Sequence, residues 1–207
     1  MSWKDRWRRS EGASVEPPSA RWPSNWSELA PDERIGVVVA AIADGTTARP
    51  DQLIGLTDDG ILQVEDDQRT PIAGAYRTFL AQIGGGAGRF MQGTDVYYPR
   101  ILGLRTAARE LLEERGSTFE FGESDRVFSM HQGYQFDFLR GSGADPEVWS
   151  YSEGENDDLP VLNFAHFTDW LRAVAEEEIP VWARLAASRP RNLTYFRIHA
   201  DGSRTEQ

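Results

Sequence analysis

The 207-residue chain contains no cysteine and only three histidines. The first absence removes disulfides, thiolate nucleophiles and Cys-based zinc or iron–sulfur sites together. It fits a reducing compartment, and the expected location is the cytoplasm. His131, His166 and His199 form no H-x-H, H-x-x-x-H or H-E-x-x-H spacing, so no metal site is expected. His131, just ahead of a glycine turn, is the one candidate for a functional imidazole. Long apolar runs are also missing. The longest covers residues 36–43, far short of the roughly 20 residues a spanning helix needs. Met1-Ser2-Trp3-Lys4-Asp5-Arg6-Trp7-Arg8-Arg9 lacks the apolar stretch of a signal peptide. Neither membrane insertion nor a membrane partner is expected.

Nucleotide and acyl-transfer motifs are absent as well. Gly84-Gly85-Gly86-Ala87-Gly88 follows a predicted helix instead of leading into one, which places carbonyl groups where a phosphate would need N–H donors. No G-x-S-x-G occurs, and Gly141-Ser142-Gly143 reads as a flexible turn with nothing to activate its hydroxyl. Carboxylates are abundant, but spacing alone does not place two of them across a cleft. No catalytic, cofactor-binding or metal-binding residue is therefore assigned.

What the chain does have is negative charge, −11 in total. Residues 1–22 carry five bases against three acids, net +2, which leaves −13 for the remainder. Such a body repels phosphate backbones, which argues against direct nucleic-acid binding, and it attracts basic proteins. The same charge also serves solubility. The densest acidic run is Glu153-Gly154-Glu155-Asn156-Asp157-Asp158. Its acids, Glu153, Glu155, Asp157 and Asp158, are the candidate partner-binding residues, because a charged loop beside a rigid sheet suits presentation to a basic protein. A plain solvated loop has the same composition.

Hydrophobic periodicity outlines a mixed chain. Ser10 to Ser24 reads as a linker preceded by Trp3 and Trp7, which share one helical face. A helix is predicted over 31–43, with Pro31 in its first turn and Ile35, Val38, Val39 and Ile42 as its stripe. Thr57 is a predicted N-cap for a second helix, although a hairpin through Asp59-Gly60 competes. Ile72, Tyr76, Phe79, Leu80 and Ile83 mark a third helix, stopped by the glycines. Strands are expected at 96–98, 101–104, 126–131, 134–139 and 148–151, with a short helix over 106–115 closed by Gly116. Tyr134, Phe136 and Phe138 alternate with Gln135 and Asp137, the pattern of a meander with one buried face. A closing helix is predicted from an Asn163 cap to Glu178, burying Phe164, Phe167, Leu171 and Val174. An amphipathic stretch around Val181-Trp182 and a strand near 195–199 complete the chain.

In order, the Asp58-Asp59-Gly60-Ile61-Leu62-Gln63-Val64-Glu65 helix, Pro71-Ile72-Ala73-Gly74-Ala75-Tyr76-Arg77-Thr78-Phe79-Leu80 running into Gly84-Gly85-Gly86, the strand run and Asn163-Phe164-Ala165-His166-Phe167-Thr168-Asp169-Trp170-Leu171 resemble the SUKH superfamily. That superfamily includes Smi/Knr-type regulators of cell-wall synthesis and bacterial immunity proteins. The likeness covers residues 57–175, flanked by extensions at 1–56 and 176–207 that are expected to pack into one globular unit. It departs from the family at Ile72-Ala73, where Leu-Pro is common. The resemblance implies an α+β fold, with a twisted, mainly antiparallel sheet flanked by helices. It also implies a non-enzymatic role: an immunity protein that binds a toxin, often a nuclease, or an adaptor of the Smi/Knr type with another partner. An unrecognised enzyme is the remaining alternative.

Overall fold

The computed structural model describes residues 22–72 and 74–188, together with the backbone of two short strands at 196–198 and 204–206. The architecture is α+β. Among the described residues, five α-helices run at Pro31–Ile42 (α1), Asp58–Gln68 (α2), Gly74–Ile83 (α3), Leu104–Glu114 (α4) and Phe167–Ser188 (α5). Strands Leu53–Ile54 (β1) and Gly86–Ala87 (β2) form one small antiparallel pair. Thr94–Asp95 (β3), Arg126–His131 (β4), Gln135–Arg140 (β5), Glu147–Ser152 (β6) and Val161–Phe164 (β7) form a five-stranded antiparallel sheet in chain order. Phe196–Ile198 (β8) pairs with Arg204–Glu206 (β9). Trp3 and Trp7 lie outside the described residues. Among those residues, no helix is long and apolar enough to cross a membrane.

Local chemistry accounts for most helix boundaries. Pro31 opens α1, and the Glu33 carboxylate accepts from the Ala30 N–H at 2.8 Å. The Thr57 hydroxyl accepts from Gly60 N at 3.3 Å, so this segment is a helix and not a hairpin. In α3 the residues Ala75, Tyr76, Phe79, Leu80 and Ile83 are all buried. Of the glycines after it, Gly86 takes a positive φ of 150°, whereas Gly84 and Gly85 serve close packing. A Cβ on Gly84 would sit 2.6 Å from the Leu80 carbonyl oxygen, and one on Gly85 2.8 Å from Ile54 Cγ2. Gly84 is small to fit the last turn of α3, and Gly85 is small so that β1 can approach.

The sheet is covered on both faces. On one side Phe128 meets Tyr76 from α3 and Phe167 and Trp170 from α5, with ring centroids 4.8–5.9 Å apart. An irregularity in the β4–β5 register between Val127 and Ser129 accompanies Phe128. On the other side Phe136 and Phe138 pack against Phe119 and Phe121, beside Tyr151 and Trp149. One connected cluster of buried residues runs from Trp26 to Ile179. Trp26 enters it with its indole N–H donating to Asp169 at 2.7 Å, and with the Arg172 guanidinium 4.8 Å from its ring.

Three expectations need correction. Residues 96–98 and 101–104 are not strands. They form a turn around the cis Tyr98–Pro99 bond, and Leu104 opens α4. Val96 and Ile101 are buried as core plugs, so their apolar character came from packing and not from a ladder. Asn163 is no cap: it lies in β7, and Phe164 is only partly buried. The closing helix begins at Phe167 and continues through Pro180 to Ser188. Its cap comes from the 141–146 loop, where the Asp145 carboxylate takes the Thr168 N–H at 3.0 Å and the Thr168 hydroxyl at 2.6 Å. That loop also receives the first turn of α3. Ala75 N donates to the Ala144 carbonyl at 2.8 Å, and Gly74 (φ 59°) leaves no room for a Cβ against the same oxygen.

Buried arginines fasten the loops around the sheet. Arg126 donates to the carbonyls of Pro71 (2.7 and 3.0 Å), Ser124 (2.9 Å) and Gly141 (3.0 Å). Arg105 donates to Gln68, Gly122 and Asp125 carbonyls. Arg140 holds buried Asp125 through two hydrogen bonds, at 3.0 and 2.7 Å, while its guanidinium lies over Phe119, Phe138 and Trp149. An Arg126→Leu substitution keeps the bulk but leaves these carbonyls unpaired, and it should destabilise the fold by about 3 kcal/mol in urea unfolding. An unchanged midpoint would remove this assignment.

Candidate functional site

The acidic loop between β6 and β7 is an ordered structure. Asn156, Asp157 and Asp158 all take left-handed φ values, 52°, 55° and 54°, a conformation Asn and Asp accept more readily than most residues. The Asp158 carboxylate accepts from Gly154 N and from the Tyr151 hydroxyl, both at 2.9 Å. The Gly154 N–H foremost, then the Tyr151 hydroxyl and Arg115, hold that carboxyl below its ordinary range. Arg115 also bridges to Glu153 at 3.2 Å, and Ser117 donates to the Asp158 carbonyl at 2.6 Å. Of the four acids singled out in the sequence, Glu153 and Asp158 are therefore engaged in holding the loop. Glu155 is half-buried, and Asp157 is exposed. The loop leads into β7, the last strand of the sheet, where Leu159, Val161 and Leu162 are 41, 41 and 50% exposed. Aliphatic side chains at a strand edge beside an exposed acid, Asp157, have the composition of a protein contact surface.

A second feature was missed by the sequence reading. The α5-facing side of the sheet is apolar only over part of its area. Beyond Trp170 it becomes polar, and a cleft of about 260 Å³ opens between the sheet and the C-terminal half of α5. Ser129, His131, Gln135, Asp137 and Asn163 form its floor, with Val174, Glu177, Glu178, Val181 and Trp182 along the helix side. Asp137 therefore does not face open solvent, as the alternating pattern implied. Its carboxylate accepts from Ser129 Oγ at 2.8 Å and from Ser150 Oγ at 2.5 Å, and Asn163 Nδ2 donates to Ser150 Oγ at 2.9 Å. The register makes this inevitable, since Ser129 and Ser150 are the direct cross-strand partners of Asp137. Desolvation raises the Asp137 carboxyl, and the two hydroxyls oppose that rise.

Two more carboxylates stand on α5. Glu178 accepts from Met91 N at 2.7 Å and from the Trp182 indole N–H at 3.4 Å, yet burial still pushes its carboxyl up. Glu177, pressed by burial first and then by Glu178 and Glu176, is pushed up to about 7. Its Oε2 is buried with no hydrogen-bond partner among the described residues. His131 Nδ1 lies 3.1 Å from Thr94 Oγ1; His166 is exposed, and His199 lies outside the described residues. A carboxyl titrating near neutrality has the proton capacity of a general acid or base. The serines here, however, donate to Asp137, whose raised carboxyl is held in place by them, and the imidazole Nδ1 faces a threonine. This is not the geometry of an activated nucleophile. Among the described residues no three His, Cys, Asp or Glu side chains are grouped to hold a metal ion.

The chain matches no family model and no curated protein.

Glu177 has a definite consequence for stability. Its folded pKa, about 7, lies above the ordinary glutamate value of 4.5. The native state thus keeps a proton that the unfolded chain releases, and the associated stability is lost as pH rises from the lower value to the higher. Glu176 and Glu178 on its own helix, with Asp137 and His131 across the cleft, are the titratable groups around it. A Glu177→Gln protein should lose less stability between about pH 5 and about pH 8 than the parent. The gain at the upper end should be about 1 kcal/mol after discounting for solvent screening of a half-exposed group. Parallel urea melts at the two pH values decide it, and equal pH slopes for the two proteins would refute it.

Proposed function

We propose that this chain is a non-catalytic protein-binding domain of the immunity type, which acts in the cytoplasm by covering the surface of a basic protein toxin. The observation that carries the reading is the exposed Leu159, Val161 and Leu162 at the edge of the sheet, beside Glu155 and Asp157. Aliphatic contacts supply desolvated area, the acids supply orientation and a faster encounter, and a strand edge offers main-chain pairing. The resemblance of residues 57–175 to the SUKH superfamily supports the same conclusion, as does the net charge of the body. A nuclease suits the complement, because a protein that binds nucleic acid carries the basic surface this one lacks.

Co-expression with a toxin domain encoded beside this chain should restore growth, and the two proteins should co-elute. Leu162→Glu should weaken the complex by about a hundredfold, and Asp157→Lys by about tenfold, with the second loss shrinking as salt rises. Absence of both rescue and complex would sink the immunity reading. A stable complex with a partner unrelated to toxins would replace it with the Smi/Knr type of adaptor.

A further inference from the structure

The cleft beneath α5 is separate from the β7 edge in composition. About 260 Å³ is equivalent to roughly eight or nine waters at the liquid share of ~30 Å³ each, a volume suited to something the size of one long side chain. Its lining includes Asp137, Glu177 and Glu178 and no lysine or arginine. Trp170, Trp182, Met91, Val174 and Val181 add apolar and aromatic surface. A neutral or anionic occupant would leave the carboxylates uncompensated in a partly dehydrated space, whereas an organic cation matches them and has ring faces to lie against.

The molecule already contains this chemistry in filled form. Arg140 is held by the Asp125 carboxylate and lies 4.7–5.3 Å from three aromatic centroids. Trp182 itself carries the Arg89 guanidinium 5.5 Å from its centroid. The cleft repeats carboxylates and indoles in a lining without lysine or arginine, and the buried Glu177 Oε2 has an unused acceptor. Asp137 is positioned by Ser129 and Ser150, so its oxygens are fixed before any ligand arrives.

We propose that this cleft is a binding site for a slender organic cation, an alkylguanidinium or alkylammonium group, with Glu177 and Asp137 neutralising its charge and Trp182 covering its stem. This proposal does not rest on the immunity reading. The cation has two natural sources, a free small amine or the arginine or lysine side chain of a protein.

The test uses the full chain and four probes: agmatine, cadaverine, a blocked arginine amide and neutral butylurea. Titrations are followed by the indole N–H resonances and by calorimetry. The cations should bind at or below about 1 mM and shift the Trp170 and Trp182 signals, while butylurea should not. Glu177→Gln, a near-isosteric change on a partly exposed residue, should lower affinity about tenfold. Tighter binding of agmatine or cadaverine assigns a free amine, and tighter binding of the blocked arginine assigns a protein side chain. No cation binding below about 10 mM, equal binding of butylurea, or indifference to Glu177→Gln would each overturn the proposal. Loss of the toxin complex leaves these titrations unaffected, so the two readings fail separately.

Discussion

Strands β4 and β5 are buried on both faces, and most of the unusual chemistry of this protein follows from that one constraint. Antiparallel meanders usually leave a wet face on which polar side chains need no partner. Here Phe128 is pinned under α5 while Phe136 and Phe138 are pinned under the 117–122 segment, so every polar group at sheet level must be satisfied from within. Asp125 meets Arg140, Asp137 meets two cross-strand serines, and the loop carbonyls around the ends of β4 meet Arg105 and Arg126. The guanidinium fork is the side chain best suited to such work, because one residue reaches several oxygens at fixed angles.

The negative charge of the chain divides into parts with different roles. Some acids are internal fittings, such as Asp125 under Arg140, Asp145 at the start of α5 and Asp158 within its own loop. Others, Glu155 and Asp157, stand at the surface next to aliphatic side chains. Glu177 and Glu178 belong to neither group: they line the cleft beneath α5 with no lysine or arginine in its lining. Net charge alone merges these three populations, although their surroundings differ.

The aliphatic periodicity of α1 and α3 was plain in the sequence, because Ile35, Val38 and Ile42 or Tyr76, Phe79 and Ile83 recur at helical spacing and have no other use. The three long strands were legible as well, β5 from the alternation of Tyr134, Phe136 and Phe138 with Gln135 and Asp137. Misreadings arose where a residue type served a tertiary purpose. Tyr97 and Ile101 resemble strand residues but belong to a packed turn, and Gly85 resembles a helix stop but provides clearance for β1. The cleft was hidden for a related reason. Asp137 flanked by phenylalanines looks like the wet half of an amphipathic strand until a helix is known to lie over it. One signal was present: serines at 129 and 150, on either side of a central-strand aspartate, are unusual company for a solvent-facing carboxylate. That company becomes visible only when the register is known.

The Gly141-Ser142-Gly143-Ala144-Asp145-Pro146 loop has the composition of a spacer, and by composition it would be the first place to graft an epitope or open the chain. Its contacts say otherwise. Ala144 receives the Ala75 N–H in the first turn of α3, Asp145 receives the first turn of α5, and Arg34 of α1 reaches the same carboxylate at 3.5 Å. Three helices distant in sequence are thus indexed to one six-residue segment, which makes it the clasp of the helical layer. Tolerance for added length belongs instead to the Gln132-Gly133 hairpin tip, where both residues are exposed and neither holds another element.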